Sequence, residues 1–282
     1  MEDSLQAISV AIESLQSNPI KDYIFPIVSA LFSALLGVWA AFYTVETQEE
    51  NRFGVTNVDT INEVLLVASD ARNNLIAIKE NYVHGVKVHP IQRMLCVPPI
   101  ILNEKPIELK IVSMAFLVPN SHKLCKSNFE RIEYIDSLFQ NYNHMLSMWQ
   151  KRNELISQYM PQLTQLHGKA IGVKELQPIM GQGGIAQLSD LTEHVLMLTD
   201  DLLVEISCLL EALPVVAKRS IDKKVIKKYR KLLSMSLPRI NESPNAVDLL
   251  SLIPSLDINA AGKLQMVDQG SIKQRYRRIY LH

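Results

Sequence analysis

Residues Tyr23 to Tyr43 read YIFPIVSALFSALLGVWAAFY, 21 consecutive residues without a charge, bounded by Asp22 and Glu46. As a helix such a run is about 31 Å long, the thickness of a bilayer's hydrocarbon core. A helix also satisfies its own backbone polar groups, which lipid demands. Tyr23 at one end, and Trp39 and Tyr43 near the other, suit the two interfaces. Pro26 falls in the first turn, where its missing N–H costs little. A cleaved signal peptide would carry a basic leader and a shorter apolar stretch. Here Glu2, Asp3, Glu13 and Asp22 precede the run against Lys21 alone. A buried core helix would not need so many uncharged residues. The expectation is one retained transmembrane helix over 23–44.

Within the span, Ser29, Ser33, Gly37 and Ala41 recur every four residues. Small side chains in one stripe let membrane helices approach closely, so these four are candidate self-association residues. Orientation is only weakly encoded, with Lys21 on one side and Arg52 on the other. The short N-terminal tail is acidic, and the three unpaired cysteines suit a reducing compartment. Both features place the tail outside and the large C-terminal domain in the cytoplasm.

The rest of the chain is globular in composition: 48% apolar residues in 282, enough for a core, with ten glycines that exclude a collagen-like repeat. Cys96, Cys125 and Cys208 are odd in number and widely spaced, against a disulfide framework. Lys plus Arg equals Asp plus Glu at 29 each, but the charge is segregated. Residues 218–231 hold Lys218, Arg219, Lys223, Lys224, Lys227, Lys228, Arg230 and Lys231 against Asp222 alone. The tail adds Lys273, Arg275, Arg277 and Arg278, leaving the remainder with a balance of −11. A membrane surface or a partner can read such polarity.

Periodicity organises the chain into helices. Leu5, Ile8, Ala11, Ile12 and Leu15 mark a short amphipathic helix in 1–22 with an acidic polar face. After the span, Gly54 marks a break. Asp59 is placed as the cap of a helix over about 60–83, with Ile61, Val64, Leu65, Ala68, Leu75 and Ile78 inward and Gly85 at its end. Five prolines in 86–120 exclude a long helix there. Ile107, Leu109 and Ile111 alternate with polar residues and permit a short strand, and 112–118 a helical turn. Ile132, Phe139, Leu146, Asn153 and Met160 fall on heptad position a, and Ile135, Tyr142, Trp149, Ile156 and Leu163 on d. This is coiled-coil-like spacing, opened by a Ser127-x-x-Glu130 capping box and bent at Pro161. Asn153 interrupts the seam, either to set register and partner number or to face solvent. Glycines mark 168–184 as a connector. A second long helix runs over about 185–212, stopped by Pro214. A basic helix over about 217–235 turns Ile221, Val225, Tyr229 and Leu232 inward.

The fold class expected is mostly α: one transmembrane helix, then a domain whose long helices return antiparallel as a hairpin or bundle. Domain bounds are a membrane-proximal helix and proline-rich connector over 45–126, a long-helix bundle over 127–236, and an irregular basic tail over 237–282.

No phosphate loop, dinucleotide fingerprint, zincin or nucleophile-elbow motif occurs. Gly181-Gln182-Gly183-Gly184 lacks the following lysine of a phosphate loop and reads as a turn. His122 and Cys125 could share a metal, but no second pair matches them. No catalytic, cofactor or metal site is assigned. Asp190, Glu193, Asp200, Asp201 and Glu205 read as a solvated acidic face or as partners for the basic helix. The eight cations of 218–231 are candidate contacts for anionic lipid headgroups or an acidic protein face, with nucleic acid a weaker fit.

The segment IQRMLCVPPIILNEKPIELKIVSMAFLV, followed by a helix containing LSMWQKRNELI, carries a resemblance. Over residues 20–165 the layout resembles uncharacterised bacterial single-pass membrane proteins with an α-helical cytoplasmic domain. The resemblance implies a bacterial inner-membrane location and supplies no activity. The function expected is a membrane-anchored helical scaffold, interaction or sensing protein, not an enzyme, whose partners are the bilayer and possible further copies of itself. The alternatives are an effector or regulator in a bacterial stress or phage-defence system, and a hydrolase with an unrecognised site.

Overall fold

The computed structural model describes residues 2–14, 20–102, 106–118, 127–235, 249–278 and 280. His122 and Cys125 lie outside them. The chain divides into two compact units, Met1–Gly54 and Val55–His282.

In the first unit, helix α1 (Glu2–Ser14) is exposed along its described side chains. A π-helical turn, Ile20–Ile24, leads into helix α2 (Phe25–Glu80). Its N-terminal part is the apolar run, with a mean hydropathy of 2.1 over its most apolar window and none of that window buried. Large side chains such as Phe32, Leu35, Trp39 and Phe42 are each at least 62% exposed. In water each would forgo about 1.5–3 kcal/mol of burial; in lipid that cost vanishes. The hydroxyls in and just beyond the run bond back to the helix: Ser29 donates to the Pro26 carbonyl at 3.0 Å and Thr44 to that of Ala40 at 2.7 Å. The first unit therefore carries one helix long and apolar enough to span a membrane.

α2 does not break at Gly54, and Asp59 caps nothing. A glycine costs a helix interior about 1 kcal/mol, too little to stop a segment that is helical on both sides. Ile61, Val64, Leu65, Ala68, Leu75 and Ile78 are buried as their spacing requires.

The second unit is built on α2 from Val55 onward, α4 (Ile132–Leu163) and α5 (Val173–Ser220). α4 and α5 run antiparallel. Tyr134 reaches Glu205, Trp149 donates to Thr199 at 3.1 Å, and Arg152 lies 3.4 Å from Thr192. α2 opposes α5 through Arg72 to Ser207 at 2.9 Å, and meets α4 through Asn74 to Tyr142 at 2.6 Å. The common core includes Leu65, Leu75, Phe139, Trp149, Leu202 and Leu209. The mostly α class and the antiparallel long helices expected from periodicity are thus present.

Three helix ends differ from their sequence signals. α5 starts at Val173 inside the expected connector and kinks at Gly181, whose φ of 64° only glycine adopts without strain. α5 also continues through Pro214 to Ser220. Pro214 removes one helix bond, a cost of about 3 kcal/mol, but Leu210, Leu213, Val216 and Ala217 around it are all buried. Burial of these neighbours outweighs the lost bond. The basic helix is not one helix. Residues 217–220 finish α5, Ile221 is buried between elements, and α6 (Lys223–Lys228) spans six residues behind an Asp222 cap. Tyr229 points outward, 45% exposed. Ser127 accepts from the Phe129 amide and so opens a 3-10 turn, Asn128–Glu130; Glu130 itself pairs with Arg219.

Irregular segments are held by asparagines. A carboxamide offers an acceptor and a donor side by side, as a neighbouring strand does. Asn153 accepts from the Ile100 amide at 3.2 Å and donates to its carbonyl at 2.6 Å. Asn143 does the same to Ile107 at 2.8 Å for both bonds. The heptad interruption, half-buried, seats the proline-rich segment through these two bonds. Ile107 joins no strand, and the expected turn is a 3-10 helix, Ile111–Leu117. Asn62 likewise accepts from the Leu233 amide at 2.8 Å and donates to the Lys231 carbonyl at 3.0 Å. Two short helices close the unit: α7 (Ile258–Gln265), capped by Asp257, and α8 (Gln269–Arg275), capped by Asp268.

Candidate functional site: the acidic face of α5

On α5, residues 190, 193, 194, 197, 200 and 201 follow at intervals of three, one, three, three and one, which places them on one face. That face is largely buried and is not opposed by the basic segment. Glu193, Asp200 and Asp201 are 5%, 1% and 1% exposed. Their partners come from α2, the C-terminal residues and α3 (Pro90–Cys96).

Arg93 of α3 meets both Glu193 oxygens, at 3.1 and 3.2 Å, and donates to the Lys87 carbonyl at 3.0 Å and to that of Pro254. Burial raises the Glu193 pKa, and the Arg93 charge opposes it. Lys79 of α2 lies 2.7 Å from Asp200 and donates to the Ser251 carbonyl. The other Asp200 oxygen accepts from the Ile253 amide at 2.8 Å. Arg278 bridges Asp201 at 2.8 Å and Asp200 at 3.4 Å. Residues 251–254 and 278 are thus tied to the bundle by buried charges. The Tyr82 hydroxyl has no hydrogen-bond partner among the described residues. Burial, then the negative Asp200, push its pKa well above that of an ordinary phenol.

Arg152 is wholly buried and donates to oxygens rather than to a carboxylate. It reaches the carbonyls of Met94 at 3.1 Å, Val97 at 2.5 Å and Pro98 at 3.0 Å. These include the unpaired carbonyls at the end of α3, which a guanidinium satisfies well. Burial pulls its pKa down to about 10.

Beside this cluster opens a cavity of about 460 Å³ between α4, α5 and the segment around α8. Its polar lining includes Asn141, His144, Asp190, His194, Asp201 and Arg275, and its apolar wall Met148, Met197 and Leu198. Asp190 is shared among three groups. Tyr276 donates to it at 2.7 Å, Arg275 lies at 3.3 Å and His194 Nδ1 at 3.4 Å. Burial raises the Asp190 pKa, but the bonds from His194 and Tyr276 and the nearby charges overcome it, leaving it low. His194 is moved the other way: burial lowers its pKa, and Asp190 more than restores it, leaving it raised. An Asp–His pair can relay a proton, but among the described residues this lining holds no serine, threonine or cysteine to activate. His144 and Arg277 also line the cavity. A second cavity, about 380 Å³, is mostly apolar and lies between Cys96, Ile156, Met160, Leu163 and Ile171. Among the described residues no group of three or more acidic, histidine or cysteine side chains could hold a metal.

The structure does not bring the sequence-derived candidates to this site. Ser29, Ser33, Gly37 and Ala41 lie exposed on α2. Lys218 and Arg219 end α5, Lys223, Lys224, Lys227 and Lys228 lie on α6, and Arg230 and Lys231 follow it, all exposed. Sequence reading missed Lys79, Arg93 and Arg152. Two signals were available. Ile61, Leu65, Ala68, Arg72, Leu75 and Lys79 keep a strict four–three spacing, so both cations sit in the buried seam. Arg152 falls between Trp149 and Ile156 on the buried side of α4. The chain matches no known protein family, no curated protein and no solved structure.

Proposed function

We propose that this chain is a membrane-anchored helical scaffold, interaction or sensing protein without catalytic activity, its C-terminal domain on the cytoplasmic side. On the resemblance noted above, the membrane is a bacterial inner membrane. The observation that carries the reading is the uncovered apolar helix of the first unit, a surface only lipid or another apolar helix satisfies. The α5 carboxylates support the non-catalytic part. They are engaged by Lys79, Arg93, Arg275, Arg278 and tyrosines in pairs that fasten one element to another. The acidic N-terminal tail and the basic segments of the large domain support the orientation.

One experiment on isolated membranes tests the anchor and the orientation. The full chain, carrying a cytoplasm-dependent reporter after His282, is expected to stay in the pellet after alkaline carbonate and to show reporter activity. Release of the chain into the supernatant would remove the anchor. Retention with activity only from a periplasm-dependent reporter would reverse the orientation.

A further inference from the structure

We propose that the exposed cations of residues 218–231 bind the headgroups of an anionic bilayer, holding the helical unit at the membrane surface by charge as well as by its covalent anchor. This rests on the membrane-anchored reading and names the partner of its large domain.

Three observations carry it. The first is that the acids once available as internal partners are taken. Glu193, Asp200, Asp201 and Asp190 pair with Arg93, Lys79, Arg278 and Arg275, and Glu205 accepts from the Tyr134 hydroxyl, none of these partners belonging to this segment. Within the segment, Arg219 pairs with Glu130 and Arg230 with Asp59. Lys218, Lys223, Lys224, Lys227, Lys228 and Lys231 are exposed with no carboxylate partner among the described residues.

The second is that the segment is built to present them. Ile221, Val225 and Leu232 are buried, and Asp222 accepts from the Lys224 amide at 2.8 Å. The backbone is thereby fixed while the ammonium groups stand outward. Tyr229, 45% exposed with the Lys228 ammonium 5.4 Å from its ring centre, adds the amphipathic aromatic that suits a headgroup layer.

The third is where the segment is fastened. Arg230 lies 2.5 Å from Asp59, and the backbone of Lys231 and Leu233 is held by Asn62. Those are among the first residues of the second unit, which begins at Val55, and only residues 45–54 separate it from the apolar run. Ten helical residues, about 15 Å, thus tether the segment close to the headgroups. Lysine ammonium groups are point charges that suit lipid phosphates and carboxylates. Nucleic acid would use the same lysines but gains nothing from the tether.

The test uses the full chain in nanodiscs of phosphatidylcholine, alone or mixed with phosphatidylserine, and measures lysine acetylation rates by mass spectrometry. Anionic discs at low salt are expected to slow Lys218, Lys223, Lys224, Lys227, Lys228 and Lys231 about fivefold, as one ion-pair's worth of headgroup attraction per lysine implies. High salt should abolish the effect, and exposed Lys151 and Lys174 should not change. Replacing Lys223, Lys224, Lys227 and Lys228 together by Gln should return Lys218 and Lys231 to their neutral-disc rates. Equal rates in both discs would overturn the lipid contact and leave the anchor standing. Stronger protection by single-stranded RNA in neutral discs than by phosphatidylserine would overturn it in favour of nucleic acid. A chain that stays outside discs of either composition would overturn the anchor itself, and this proposal with it.

Discussion

Asp200 has Lys79 at 2.7 Å, the Ile253 amide at 2.8 Å and Arg278 at 3.4 Å, in a position 1% exposed. Removing one partner of such a pair leaves the other charged and without water, which costs about 3–5 kcal/mol. Asp200→Ala is therefore expected to lower the stability of the second unit by that amount in thermal melts of the detergent-solubilised chain. Asp200→Leu combined with Lys79→Met removes both charges and should cost clearly less. A double variant no more stable than the single one would show that the pair is not what holds this region. The burial of these acids was legible in principle. Leu191, Val195, Leu196, Leu198, Leu202 and Leu203 surround them, so α5 is apolar on nearly every side, and a helix of that kind is buried. Its carboxylates must then be buried too, and must find cations. Which cations could not be read, because Lys79, Arg93 and Arg278 come from distant parts of the chain.

Helices were legible where periodicity alone decides them, and less so where a single residue argues against continuation. The inward positions of α2 and α4 follow from spacing. The passage of α2 through Gly54 and of α5 through Pro214 does not, because the local cost is set against burial that only the packed bundle supplies. The three asparagine seats, Asn62, Asn143 and Asn153, were illegible for a related reason. Each bonds to backbone atoms of another segment, and a backbone leaves no mark in the sequence. Asn153→Ala removes both bonds to Ile100, which is 7% exposed, and leaves its peptide groups unpaired. A loss of about 1–3 kcal/mol is expected, with hydrogen exchange accelerated at the Ile100 amide and unchanged at Ile107, which Asn143 still holds. Acceleration at both would mean that the proline-rich segment opens as one piece.

At the scale of the whole molecule, the two units arise from different solvents acting on one chain. The first was legible because 21 uncharged residues permit few alternatives. The second was legible as long helices but not as a bundle locked by residues far along the chain. Those locks set an order in time. Asp200 and Asp201 leave the ribosome before the Ile253 amide and Arg278, two of the groups that engage them, and 78 residues separate Asp200 from Arg278. At ordinary rates of synthesis that interval lasts roughly 4–16 s. Throughout it, α5 carries carboxylates that the bundle can bury only in part, with Lys79 and Arg93 present but residues 251–254 and 278 not yet made. Membrane-bound chains ending at Met235 should therefore be cut within α5 by pulse proteolysis, while chains ending at His282 resist. Equal resistance would mean that the bundle closes without its last locks. If the difference holds, every newly made molecule is committed to the bilayer seconds before its large domain can finish folding, and it depends for that interval on whatever shields unfinished helices at the membrane.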